Sequence, residues 1–230
     1  DVLVFLDSDG RSYNALAHTL PSARGQGEPL SGRFKAKNDA RFVGVIMGSG
    51  DSKVLLASNA GYGFVGTLND MVTKNKAGKA CLSVPSGGTA LPPVMIEPGL
   101  HDADSASVAA VTNQGRLLVF ALKDLPELAK GKGNKLLNVP SAAFKSGEEE
   151  LVGAVVVGEK NELLVHAGQR HLRLKARDLE SYAGERARRG RRLPRGFQKG
   201  DRLSIEGERR PRRPPRSPRS KPVCEYRRSC

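Results

Sequence analysis

The sequence predicts an all-β, propeller-like array of about four blades, each of roughly four short strands, followed by a disordered basic tail. Three observations carry this: a repeat of about 54 residues, a strand–turn–strand pattern inside each copy, and a composition rich in turn formers. The repeat is the primary signal. VLLASNAGYGFVGTLNDM (54–71), VAAVTNQGRLLVFALKDL (108–125) and ELLVHAGQRHLRLKARDL (162–179) align without gaps, so that Asp70, Asp124 and Asp178 stand 54 residues apart. A looser copy, LVFLDSDGRSYNALAHTL (3–20), lies 51 residues upstream of the first.

Each copy has the same internal order. A short apolar run (Val54 to Ala57, Val108 to Val111, Leu163 to Val165) meets a tight turn. The turns Ser8-Asp9-Gly10, Asn59-Ala60-Gly61 and Asn113-Gln114-Gly115 hold residues that accept φ > 0 and so close a hairpin. A second strand follows (Gly63 to Leu68, Leu117 to Leu122, His171 to Leu174). After the Asp-Leu or Asp-Met pair comes a polar loop rich in glycine and cations, then a short strand such as Ala80 to Val84 or Lys135 to Val139, ended by Pro85 or Pro140. A last apolar run, Val43 to Met47 or Leu151 to Val157, completes the unit. The expected repeats lie near 1–50, 51–104, 105–158 and 159–208, one β domain over 1–208, with the tail at 209–230. A β-sandwich with evenly spaced strands is the alternative, and the recurrence of Asp-Leu and a basic loop at one phase counts against it.

The chain holds 26 Gly and 14 Pro, no Trp and 5% aromatics, which leaves the core to Val, Leu, Ile and Ala. No apolar run approaches the roughly 18 to 20 residues of a membrane helix, and no signal peptide opens the chain. It begins inside a strand-like run, Val2 to Leu6, as a fragment of a longer protein would. Cys81 lies in an apolar stretch, as a buried thiol does; with Cys224 and Cys230 in the tail, the three fit neither a disulfide framework nor a zinc site, and a cytoplasmic setting is expected.

The net charge of +14 is unevenly placed. Residues 1–169 hold 17 Lys or Arg and 17 Asp or Glu, so the whole excess sits in the last quarter. That asymmetry suggests a polyanion, and nucleic acid over an anionic membrane because no basic amphipathic helix accompanies it. Within the repeats the loops after the Asp-Leu phase are basic: 21–33 with Arg24 and Arg33; 72–80 with Lys74, Lys76 and Lys79; 126–135 with Lys130, Lys132 and Lys135; and 182–196 with Arg186, Arg188, Arg189, Arg191, Arg192 and Arg195. Equal phase in a radial array means equal position on the rim, so these loops would form a band, with acidic residues such as Glu148 to Glu150, Asp102 and Asp104 elsewhere. Loop glycines (Gly25, Gly27, Gly78, Gly131, Gly133, Gly190) would let the backbone approach a phosphate, while Lys and Arg release counterions from a duplex. No recognition helix, finger or aromatic platform is present, so binding would be independent of sequence and sensitive to DNA shape.

At these loops PSARGQGEPL, AGYGF with NDMVTKNKAGKA, KGKGNK with NVPSA, and GERARRGRRLPRGFQKGDRL resemble the C-terminal domain of the bacterial topoisomerase IV A subunit (ParC), kin to that of gyrase A, over about residues 1–208. The gyrase box of the form QRRGGKG has only Arg24 to Glu28, RGQGE, as its counterpart, which favours topoisomerase IV over a gyrase wrapping domain. The resemblance implies a β-pinwheel of four or more blades that exchange strands, bending double-stranded DNA along a basic perimeter for an enzyme that decatenates and relaxes DNA in chromosome segregation. It implies an A2B2 assembly in which this polypeptide's upstream domains join the topoisomerase IV B subunit. ATP and Mg belong to the intact enzyme, with no cofactor in this domain, a cleavage tyrosine upstream of this chain, and a place at the bacterial nucleoid. Tyr13, Tyr62, Tyr182 and Tyr226 then carry no catalytic role.

Enzyme signals are weak. GSGDSK (48–53) and GKGNK (131–135) lack the pattern of a phosphate-binding loop. His18, His101, His166 and His171 are scattered, and no GxSxG elbow occurs. Two other readings stay open: a protein-interaction scaffold whose basic loops face an acidic partner, and an inert β domain with a nonspecific basic tail.

Overall fold

The computed structural model describes residues 2–21, 25, 27–37, 39–98, 106–159 and 161–206. The tail at 209–230, with Cys224, Tyr226 and Cys230, and the residues Arg24, His101, Asp102 and Asp104 lie outside that set.

The first repeat forms β1 (Val2–Asp7) and β2 (Arg11–Leu16), a one-turn helix α1 (Leu30–Arg33), and β3 (Phe42–Gly48). The second forms β4 (Lys53–Ala57), β5 (Tyr62–Thr67), α2 (Leu68–Met71), β6 (Lys79–Ala80) and β7 (Val94–Met95). The third forms β8 (Ser107–Thr112), β9 (Arg116–Ala121), β10 (Asn134–Lys135), α3 (Ser141–Lys145) and β11 (Leu151–Val157). The fourth forms β12 (Glu162–Ala167), β13 (Arg170–Leu174), α4 (Ala176–Leu179), β14 (Arg191–Arg192) and β15 (Arg202–Glu206).

These strands build four antiparallel sheets, ordered β3-β1-β2-β6, β10-β5-β4-β7, β11-β8-β9-β14 and β13-β12-β15. In each of the first three, the strand beyond the hairpin on the basic-loop side belongs to the next repeat: β6 pairs with β2, β10 with β5 and β14 with β9. The sheets therefore exchange strands as a pinwheel does. The fourth has three strands among the described residues.

Turn chemistry explains how each exchanged strand is held. Gly10 sits at φ 79°, and its carbonyl accepts the amide of Leu82 at 3.0 Å, so a side chain there would collide with the Leu82 carbonyl. The turn glycines of the next two hairpins do the same: Gly61 accepts from Leu136 and Gly115 from Leu193, both at 2.8 Å. The strands expected over Ala80–Val84 and Lys135–Val139 are shorter than their apolar runs, because Leu82 and Leu136 bond to a turn rather than to a strand.

The recurring aspartate ends the hairpin. Asp70 accepts the Thr67 amide at 3.3 Å and its hydroxyl at 2.7 Å, capping α2. Asp178 accepts the Lys175 amide at 3.0 Å before α4, and Asp124 ends the 3-10 turn Leu122–Asp124. Each stop sends the chain sideways, toward the preceding sheet.

Alternate residues of one strand face different neighbours. Val54 and Leu56 pack with Val4, Leu6 and Ile46 of the first sheet, whereas Leu55 and Ala57 pack with Val108, Ala110 and Leu118 of the third. Ala109 and Val111 face Leu163 and Val165 of the fourth. Strands buried on both faces read as continuous apolar runs, which is why VLLA and SVAAVT lack alternation. Phe5, Tyr13, Phe34 and Phe42 cover part of the first sheet's other face, with ring centroids 5.3 to 6.2 Å apart. Cys81 is buried, and burial pushes its thiol up.

Candidate nucleic-acid interface

The exchanged strands β6, β10 and β14 are each the last strand of their sheet, and each lies within or at the end of a basic loop. Three of the four loops thus reach equivalent sheet edges. The first loop takes another course. Its Leu30–Arg33 helix leads to Phe34 in the aromatic cluster, and Lys35 donates its amide to the Lys76 carbonyl at 2.8 Å, so it lies beside the second loop rather than on a sheet edge.

Three of the loop glycines, Gly78, Gly133 and Gly190, pack against protein, whereas a Cβ at Gly27 would meet nothing within 4 Å. Gly133, at φ 74°, has room for no side chain because a Cβ would stand 2.1 Å from the Gly63 carbonyl. Gly78 presses on Tyr13 and Gly190 on the Leu117 carbonyl in the same way. Each precedes the exchanged strand by one residue and lets it close on its host, so these glycines pack against protein.

The cations fall into two groups. Arg33 pairs with Glu28 at 2.8 Å and donates to the Thr19 carbonyl. Lys79 donates to the Asp70 carbonyl at 2.6 Å, and Lys135 to the Asn138 side chain at 3.0 Å. Arg186 donates to the Lys135 carbonyl at 2.8 Å, and Arg188 pairs with Glu185 at 2.7 Å. Arg189 pairs with Glu149 and donates to the Asn138 carbonyl. Lys74, Lys76, Lys130, Arg191, Arg192 and Arg195 are exposed and form no ion pair with another described residue. Lys132 is also exposed, its ammonium 3.8 Å from the centre of the Tyr62 ring.

Acidic residues do not all stand apart from this band. Glu149 reaches into the fourth loop through Arg189, and Glu150 accepts from the Asn59 amide group at 2.8 Å. The reason is geometric: Glu149 precedes β11 next to the Asn138 carbonyl, where Arg189 already docks. Arg11, Tyr62 and Arg116 lie outside the basic loops, each one residue beyond a hairpin glycine and each opposite an exchanged strand. Their position after Gly10, Gly61 and Gly115 is the signal that could have found them.

The phosphate-loop lookalike at 48–53 is a turn between β3 and β4 whose Gly50 carbonyl accepts the Asn69 amide at 2.9 Å. His166 and His171 stand 6.3 Å apart between ring centres, with His166 hydrogen-bonded to Ser204. No group of metal-binding residues occurs among the described residues, and none of their helices is long and apolar enough to cross a membrane.

Residues 106–158 match the family model of the DNA gyrase C-terminal domain, beta-propeller. The chain superposes on the solved structure of the E. coli ParC C-terminal domain with a TM-score of 0.78 and 45% identity, covering 89% of this chain and 81% of that one. The chain belongs to the family of the topoisomerase IV ParC C-terminal domain. The DNA topoisomerase 4 A subunit of Pseudomonas aeruginosa is 49% identical over 203 residues, 88% of this chain and 26% of that protein. Its Escherichia coli K12 counterpart is 47% identical over 208 residues, 90% of this chain and 27% of that protein. The chain thus spans about a quarter of the length of these curated relatives. A gyrase A C-terminal domain shares the fold, with a TM-score of 0.65 at 14% identity.

Proposed function

We propose that this ParC-family C-terminal domain binds duplex DNA along the outer edges of its sheets, without reading sequence, and bends it. In the intact topoisomerase IV, with the B subunit, ATP and Mg, it guides DNA to the type II machinery that decatenates and relaxes supercoils in chromosome segregation; the domain itself contributes no catalytic group.

The observation that supports this is the equivalent placement of β6, β10 and β14, each reached by a loop that carries exposed cations: Lys74 and Lys76, Lys130 and Lys132, and Arg191 and Arg192. A duplex following those edges meets cations from three blades and curves to do so. Its deformation cost depends on DNA stiffness rather than base identity.

A salt titration of duplex binding by residues 1–208 tests it. Several phosphate contacts make log affinity fall with log salt by about 0.9 per contact. Charge reversal at Lys74, Lys76 and Lys130 lowers affinity about equally on unrelated sequences, and the domain raises the rate at which a short duplex is ligated into circles. Salt-independent binding, or loss confined to one sequence, rules the reading out.

A further inference from the structure

Arg116 opens β9 and Arg192 closes β14, and the two stand directly opposite each other in the antiparallel register. Directly opposed side chains share a face, and like charges so placed are destabilising. The equivalent pairs of the other exchanged strands are different: Arg11 faces Ala80, and Tyr62 faces Lys135. Among the described residues, only the third sheet opposes two guanidinium groups at this place.

Among the described residues the Glu149 carboxylate offsets the repulsion only in part: at Arg116 its attraction is outweighed by the charges of Arg189 and Arg192. Glu149, the carboxylate of this neighbourhood, is held by both terminal nitrogens of Arg189. Arg116 donates only a long 3.4 Å bond to the Gly190 carbonyl, and neither Arg116 nor Arg192 forms an ion pair with another described residue. Partial burial, then the charges of Arg189 and Arg192, pull the Arg116 guanidinium below its ordinary value. A local rule broken with only partial internal compensation marks a place where function supplies the rest.

We propose that Arg116 and Arg192 jointly grip one phosphate group of the DNA backbone, making the outer edge of the third sheet the firmest anchor on the domain. Two planar guanidinium forks can divide the oxygens of one phosphate, a geometry that lysine cannot reproduce. A phosphate between them turns mutual repulsion into shared attraction. The proposal rests on the DNA-binding reading above and adds to it a residue, Arg116, outside the basic loops.

The test is a double-mutant cycle on the full chain. Arg116→Ala and Arg192→Ala each weaken duplex binding by about tenfold near 0.1 M salt, the loss of one phosphate contact, and each lowers the salt slope by about 0.9. The double variant loses about the same, because both side chains serve one phosphate. An additive, roughly hundredfold loss with twice the change in slope means two separate contacts and overturns the proposal. No loss in either single variant overturns it too, while the Lys74, Lys76 and Lys130 reversal continues to report on the broader reading. Without DNA, each single variant holds or raises the melting temperature at low salt; a drop assigns the pair to the fold instead. Inorganic phosphate displaces DNA no better than chloride at matched ionic strength. Excess displacement that disappears in the double variant reassigns the pair to a free anion.

Discussion

Arg189 of the fourth repeat grips both carboxylate oxygens of Glu149 from the third, at 2.6 and 2.5 Å, and its Nη1 also donates to the Asn138 carbonyl at 3.0 Å. Glu149 is 2% exposed while the Arg189 side chain stays partly exposed, so the pair joins the exchanged strand to its host with the carboxylate on the buried side. Burial pushes the Glu149 carboxyl up, but the Arg189 hydrogen bonds and charge outweigh it and hold the group below its usual range. Arg189→Ala leaves a buried carboxylate unpaired and costs about 3 kcal/mol in urea unfolding.

The same pair sets an acid limit. Because the folded value lies below the unfolded one, near about 4.3, its stabilisation is fully present above that pH and is lost as pH falls through the folded value. The urea midpoint of the wild type falls across that interval, and Glu149→Gln flattens the fall. Parallel acid limbs in the two proteins would assign the loss to other carboxylates.

Gly133 and Gly147 separate backbone strain from lack of space. Both have φ of 74°, but a Cβ meets the Gly63 carbonyl at 2.1 Å in the first and nothing within 4 Å in the second. Gly147→Ala costs about 1 kcal/mol, from the unfavourable φ alone. Gly133→Ala adds a collision with fixed backbone and costs more than about 3 kcal/mol, with β10 detaching from β5. Hydrogen exchange at Tyr62 and Gly63 reads that detachment directly; equal costs at the two sites would contradict the packing role.

The hairpins were legible in the sequence because each is local: two apolar runs, one glycine turn and one aspartate stop. The exchange of β6, β10 and β14 was not legible from local pattern, since pairs such as Arg11 with Ala80 join residues more than one repeat apart and no short-range periodicity records them. The cations were found by composition, but composition cannot distinguish Lys76, which faces solvent, from Lys79, which bonds a carbonyl. Arg116 escaped notice because an isolated arginine after a turn glycine resembles any solvated hairpin end.

Tyr13 is buried, and its hydroxyl donates to the equally buried Asp7 carboxylate at 2.9 Å. Burial first, then the Asp7 hydrogen bond and charge, push its pKa up to about 12. The proton is therefore held more tightly in the folded state, so its contribution is complete below about pH 10 and is lost as pH climbs toward the folded value. Burial and the charge of Asp178 also push the Tyr182 hydroxyl up, so tyrosinate absorbance has more than one delayed component, and Tyr13→Phe removes the one near about 12. The same substitution leaves a buried Asp7 oxygen without its donor and costs about 1 to 3 kcal/mol.

Lys74, Lys76 and Lys79 share one loop, yet their contacts predict different phenotypes. The Lys79 ammonium bonds the Asp70 carbonyl at the end of α2 and helps seat β6 on β2. Lys79→Ala therefore lowers stability by about 1 kcal/mol. Lys74 and Lys76 are exposed, so alanine at either leaves the urea midpoint unchanged. On duplex DNA the order reverses: each exposed lysine that touches a phosphate takes about 0.9 from the salt slope when removed. Lys79, tied to its carbonyl, changes the slope little unless β6 itself is lost. A loop in which all three substitutions lowered DNA affinity equally, with no change in stability, would mean that Lys79 leaves the Asp70 carbonyl when DNA arrives.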